Sequence, residues 1–192
     1  MDTGEKIFLH IREALPEDAG DIVRLRYRTW LETYPNVQCG ITRDDIKHYF
    51  ADKLTKEGLA RVATDIEIYE TARMILVGID HSSGKIIAMC RGIKALRRDE
   101  PNRLCSLYVL PGYQGFGVGR DMWSHLYRRH LNPYVCTITH AAQYNLRAIK
   151  FYTEKLGFTR TDTPILRDPR WKMKSGNIIP DIELCLKAKP LP

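Results

Sequence analysis

The sequence predicts one α/β domain built on a mixed sheet, and three observations lead there. The 192 residues suit a single globular unit of ordinary size, residues 1–192, with a core of its own. The apolar period changes from helical spacing to strand-like runs near residue 74. Beyond residue 104 strand and helix signals alternate, and no repeat, low-complexity tract or linker interrupts them.

Ile7, Leu9 and Ile11 alternate as in a strand. Pro16, Glu17 and Asp18 then mark a helix start, with proline early and acids in the first turn. Val23, Tyr27, Trp30 and Tyr34 follow at helical spacing up to Pro35. Thr42 is the expected N-cap of a second helix, with Asp45 three residues on. Ile46, Phe50 and Leu54 give it an apolar stripe, and Gly58 is its expected stop. Met74–Ile79 and Lys85–Leu96 read as a hairpin around His81-Ser82-Ser83-Gly84. A polar connection, Arg97–Arg103, leads to the strand Leu104–Leu110 and to Pro111-Gly112. A glycine-rich turn opens a helix running to about His130, broken by Asn132-Pro133. Tyr134–Ala141 is the next strand, Asn145–Leu156 a helix ending at Gly157, and Asp181–Lys187 a last strand.

Composition narrows the function classes. The 44% apolar and 28% charged fractions are those of a soluble domain. No apolar run approaches the roughly 20 residues that span a bilayer. The stretch MDTGEKIFLHIRE has acids and no continuous apolar centre, so no signal peptide and a cytoplasmic setting are expected. None of the five cysteines stands at CxxC spacing, so no zinc or other metal site is expected. Cys90, Cys105, Cys136 and Cys185 lie in apolar runs and are expected as small core residues. The net charge of +7 is uneven: residues 1–70 carry 14 acidic and 10 basic side chains, the remainder 9 and 20. Such a basic C-terminal part suits a nucleic acid or a phosphorylated cofactor. No nucleic-acid motif accompanies it.

The most informative segment is LCSLYVLPGYQGFGVGRDMW, Leu104 to Trp123. Three glycines in five positions, Gly115, Gly117 and Gly119, let the backbone turn tightly between strand and helix. Free N–H groups at a helix start make an anion site, and a pyrophosphate fits such a cradle. A Walker A loop would end Gly-Lys-Ser/Thr, where Gly119-Arg120-Asp121 stands here. A dinucleotide fingerprint would follow the first strand, whereas these glycines follow the fourth. A purely structural turn remains the alternative for the loop alone.

The string LYVLPGYQGFGVG resembles motif A of the GNAT superfamily of N-acetyltransferases, with Gln114, Gly117 and Gly119 at its Gln/Arg-x-x-Gly-x-Gly/Ala positions. Residues Asn145 to Phe158, NLRAIKFYTEKLGF, resemble motif B. The two stand in the family's order and at its usual separation. The resemblance implies a mixed, mostly antiparallel sheet of about seven strands flanked by helices, its fourth and fifth strands splayed around acetyl-CoA as co-substrate. Edge groups of Tyr108 and Val109 would then meet the pantetheine arm. The backbone of Gln114, Gly115, Phe116, Gly117, Val118, Gly119 and Arg120 would hold the pyrophosphate. Asn145 matches a cofactor contact and equally a helix N-cap. Tyr152 matches the general acid that protonates the departing thiolate, against a packing role beside Phe151. The family's usual glutamate early on the fourth strand is missing, and Arg103 or a neighbour stands there. The base is therefore open, with water, Glu32, Asp99 and Glu100 as alternatives.

TWLETYPN (Thr29–Asn36), GITRDDI (Gly40–Ile46) and KSGNIIPDIEL (Lys174–Leu184) resemble bacterial polyamine acetyltransferases of the PaiA type. In that reading Trp30, Glu32 and Tyr34, with Asp44 and Asp45, wall a pocket for a cationic amine. In the other they are core, capping and surface residues. A silent acyl-CoA-binding module, and a peptide or protein N-acetyltransferase, are the competing functions. A homodimer is an expected state by the same resemblance.

Overall fold

The computed structural model describes residues 7–68 and 72–190. The first six residues of the stretch read as lacking an export signal lie outside the described residues. Strands β1 (Leu9–Glu13), β2 (Arg73–Asp80), β3 (Ile86–Ile93), β4 (Asn102–Val109), β5 (Thr137–Ala142), β6 (Thr159–Arg160) and β7 (Asp181–Leu186) form one sheet in the order β1-β2-β3-β4-β5-β7-β6. Every neighbouring pair is antiparallel except β4 and β5, which run parallel. The expected mixed, seven-stranded sheet is what forms.

One face is covered by α4 (Val118–Arg129), whose Val118, Met122, Trp123 and Leu126 pack on Leu76, Ile87, Cys90 and Leu104. Against the other lies α1 (Ala19–Thr33), with Ile22 and Leu25 on Val77 and Met89. A 3-10 turn, Pro16–Asp18, precedes α1. Next comes α2 (Arg43–Ala51), closed by a reciprocal cap: Thr42 Oγ1 accepts from Asp45 N at 3.0 Å, and Asp45 Oδ2 from Thr42 N at 2.9 Å.

Gly58 does not stop α2. That helix ends at Ala51, and a third helix, α3 (Lys56–Glu67), starts from an N-cap at Thr55. Gly58 sits in its first turn, where an added Cβ would stand 2.1 Å from the Asp52 carbonyl oxygen. The glycine marks a close backbone approach, and Leu59, Val62 and Ile66 carry the apolar face beyond it. The helix after β5 is also reshaped: α5 (Leu146–Lys150) widens into a π-helical turn over Phe151–Lys155. Strand β5 starts at Thr137, not Tyr134, because Tyr134 N is held by Asn132 Oδ1 in the preceding turn. Cys105 departs from its expected burial and is exposed. Regular alternation explains it: Asn102 and Leu104 are buried while Arg103 and Cys105 are exposed, and a bulge follows, where Arg91 pairs with Ser106 and Gly92 with Leu104.

Asn102, wholly buried, ties three connections to the start of β4. Its Oδ1 accepts from Ala95 N and Asn132 N, and its Nδ2 donates to Asn132 O and Thr137 Oγ1. Asn102→Leu fits the volume but strands several buried groups, at roughly 1–3 kcal/mol each. The expected loss is about 3–5 kcal/mol, read as a lower urea midpoint at unchanged slope.

Candidate active site

The parallel pairing of β4 and β5 is short. It covers Asn102–Leu104 against Thr137–Thr139 and then stops, although β4 continues to Val109 and β5 to Ala142. Beyond Leu104 the two strands part, and a cleft of about 650 Å³ opens there. Leu110 N donates to Ile87 O, so by the alternation of an antiparallel ladder Tyr108 also turns its backbone toward β3. Leu107 and Val109 present theirs to the split. The backbone contact expected of Tyr108 is thereby corrected: its side chain is what can face a ligand. The Val109 carbonyl accepts from Gln114 Nε2 at 2.8 Å, which ties the glycine loop to the strand end.

That loop has the form of an anion cradle. Gly115 and Gly117 adopt φ of 97° and 85°, a region that favours glycine. Among the described residues, the amides of residues 115–119 make no backbone hydrogen bond, while Arg120 N and Asp121 N donate to Gly117 O as α4 begins. A Cβ on Gly115 or Gly117 would meet nothing within 4 Å, so the loop faces open space. Phe116 and Arg120 are exposed and Val118 is buried. The residues present thus fit a pyrophosphate.

At the other end of the split, Thr139 is the last β5 residue paired to β4, and its Oγ1 donates to Leu104 O at 2.8 Å. The buried Tyr152, in the widened turn, lines the same cleft as Thr139 where the strands part. Burial and then neighbouring Tyr108 hold its phenol well above the usual value, with Thr139 acting the other way. Its ring packs on Phe151 and Phe158, centroids 5.6 and 5.7 Å apart. Asn145 lines the cleft, and its side chain caps α5 by accepting from Ala148 N at 3.1 Å.

The residues named for the acceptor fall in different places. Trp30 lines the cleft but is 2% exposed, with Tyr49 stacked on it at 4.9 Å and Phe50 and Trp171 packed around it. Tyr34 lines the cleft, its phenol pushed well above the usual range by burial, then by Tyr108, Asp181 and Tyr152. Glu32 is exposed and lines an adjoining depression instead, beside Gln114 and Arg147. Asp44 pairs with Lys47 in solvent, and Asp45 is consumed by Thr42 and Ser175 N. Neither lines the cleft, so the acidic aromatic wall expected from sequence does not assemble: a helix cap takes Asp45, an ion pair takes Asp44, and Glu32 faces the adjoining depression.

Asp181 is the site residue that sequence reasoning missed. It lines the cleft at the start of β7, opposite Ala142. Burial, and then Asp168, raise its carboxyl from 3.8 to about 6. Among the described residues no side chain hydrogen-bonds or ion-pairs with it. The other acids of the cleft are engaged, Asp65 by Arg73 and Asp168 by Arg170. The string KSGNIIPDIEL contains Asp181 but does not single it out; the placement of β7 beside β5 does.

No curated protein matches the chain in sequence. Solved structures do match in fold. The PaiA N-acetyltransferase of Thermoplasma acidophilum, in complex with coenzyme A, aligns at TM-score 0.67 and 17% identity, over 94% of this chain and 99% of that one. The ribosomal-protein-S5-alanine acetyltransferase of Vibrio fischeri aligns at 0.65 and 16%, over 95% and 96%. The yncA protein of Salmonella typhimurium, with acetyl-CoA as its cofactor, aligns at 0.57 and 20%, over 96% of both. The model of the acetyltransferase (GNAT) family matches residues 27–158, which include the whole split, the glycine loop and the turn bearing Tyr152. The chain belongs to the acetyltransferase (GNAT) family.

Proposed function

We propose that the chain transfers the acetyl group of acetyl-CoA to a primary amine by direct attack within a ternary complex. One observation carries this: the split of β4 and β5 has free loop amides at one end and a buried, protonated phenol at the other. The amides of residues 115–119 receive the pyrophosphate, and the edges of Leu107 and Val109 flank the pantetheine arm. The acetyl thioester then lies near Tyr152. Arg120 and Asn145 contribute at the cradle and the neighbouring helix start.

Asp181 serves as the base. The amine nitrogen attacks the thioester carbonyl, and its proton, made acidic as the N–C bond forms, passes to the Asp181 carboxylate. The tetrahedral intermediate collapses, the C–S bond breaks, and the thiolate takes the phenolic proton of Tyr152. The products are the N-acetylated amine and free CoA. CoA release, followed across polyamines, peptide N-termini and simple amines, tests the proposal and separates it from a silent acyl-CoA-binding module. A polyamine acceptor draws support from the PaiA-type strings and the Thermoplasma neighbour, but Asp44 and Asp45 are committed elsewhere and Glu32 lines an adjoining depression.

Asp181→Asn separates function from stability. It is expected to lower kcat/KM by roughly 10²–10³-fold and to remove the rise in rate as pH passes through about 6. A carboxyl with a folded pKa above its unfolded 3.8 stabilises the fold below that value, and the contribution is lost as pH rises through about 6. The ceiling is about 3 kcal/mol, or about 1–2 kcal/mol after allowing for the open side of the cleft. The variant should therefore be more stable than the parent at pH 8 and equal to it below pH 4, as denaturant melts would show.

A further inference from the structure

The charges of the cleft are segregated. Arg26 of α1, Arg91 of β3 and Arg103 of β4 line it, and among the described residues none of the three guanidiniums has an ion-pair partner. Arg91 and Arg103 flank the bulge at Cys105, which lines the cleft with them. Arg26 lies 5.9 Å from the centroid of the Phe50 ring. Asp65, which also lines the cleft, is held by Arg73.

Two of the same arginines are also short of acceptors. Among the described residues, three buried side-chain nitrogens have no hydrogen-bond partner: Arg26 Nε, Trp30 Nε1 and Arg91 Nε. All three belong to residues that line this cleft. Each is an N–H donor with no acceptor capacity. Unmet buried donors are costly, and arginine is the side chain best shaped to grip a carboxylate or phosphate in two places. Asp181, by contrast, offers the cleft an unpaired carboxyl from β7.

We propose that the acetyl acceptor is zwitterionic: an amine that also bears an anionic group, carboxylate or phosphate, gripped by Arg26, Arg91 and Arg103 while its amino end faces Asp181. This deepens the acetyl-transfer reading and rests on it. A polycation such as spermidine would instead set positive charge beside three guanidiniums, a like-charge contact that selects against it.

The test uses the full chain and acceptors matched except for the anion. Tryptophan is compared with tryptamine, O-phosphoethanolamine with ethanolamine, and spermidine serves as the polycation. At least one anion-bearing member should exceed its partner in kcat/KM by roughly tenfold or more, and which pair does so names the carboxylate or the phosphate. Arg103→Gln, at an exposed position, should bring that ratio near one, and Arg103→Lys should retain part of it. A ratio of one in the parent chain, preference for spermidine, or a ratio untouched by Arg103→Gln would overturn the proposal. A binding arm covers slow acceptors: in CoA-saturated protein, N-acetyltryptophan or N-acetylphosphoethanolamine should raise the melting temperature, and N-acetyltryptamine should not. Equal shifts, or none, would also overturn it. If acetyl-CoA binds and uncharged amines are acetylated without preference, this inference fails alone. If acetyl-CoA does not bind at all, the transfer reading fails with it.

Discussion

Tyr152→Phe is expected to lower kcat by roughly 10²–10⁴-fold while leaving acetyl-CoA affinity little changed, the range typical of removing a general acid. The substitution keeps the ring between Phe151 and Phe158 and deletes the proton that the leaving thiolate needs. The ring contacts that hold the turn survive the substitution, so loss of fold will not imitate loss of chemistry. The raised phenol adds a second expectation. Because burial holds Tyr152 protonated past its ordinary range, the parent chain should show no fall in kcat up to about pH 10 from this group. A Phe variant with near-parental kcat, at a pH where chemistry limits the rate, would leave Tyr152 a packing residue.

Gly117→Asp is expected to weaken acetyl-CoA by roughly 100-fold or more, a loss of about 3 kcal/mol or greater. Two effects must be kept apart at this position. The backbone stands at φ of 85°, which costs most side chains but is tolerated best by Asn and Asp. A new Cβ meets nothing within 4 Å, so crowding plays no part. What remains is a negative charge where the free amides of residues 115–119 would receive a pyrophosphate. Gly117→Asn carries the same backbone demand without the charge. It should cost markedly less affinity than Asp, with both variants melting close to the parent when no ligand is present. Equal losses in the two would assign the effect to loop conformation instead of charge.

Much of the cofactor half was legible because its signals are local. Glycines needing positive φ, a capping asparagine at Asn145 and a tyrosine in a fixed string are all written within a few residues of one another. The split of the fourth and fifth strands was an implication of the resemblance to motif A, and the strand order appears only in the folded sheet. The acceptor half was legible in part only. Glu32, Asp44 and Asp45 look like a wall in sequence, yet capping and helix phase send each elsewhere. Asp181 and the arginines at positions 26, 91 and 103 come from four separate elements and meet only through tertiary placement. Gly58 conceals α3 in the sequence, because a glycine required for close approach reads the same as one that ends a helix.

Binding of acetyl-CoA in the split sheet is open to a thermal-shift titration of the unaltered chain. A ligand that binds the folded state alone adds about 2.7 kcal/mol at a concentration 100 times its Kd, which for a chain of this length is a rise of roughly 5–10 °C. The expected result is a saturable rise with acetyl-CoA that Gly117→Asp abolishes. An unchanged melting temperature at millimolar acetyl-CoA would contradict the account.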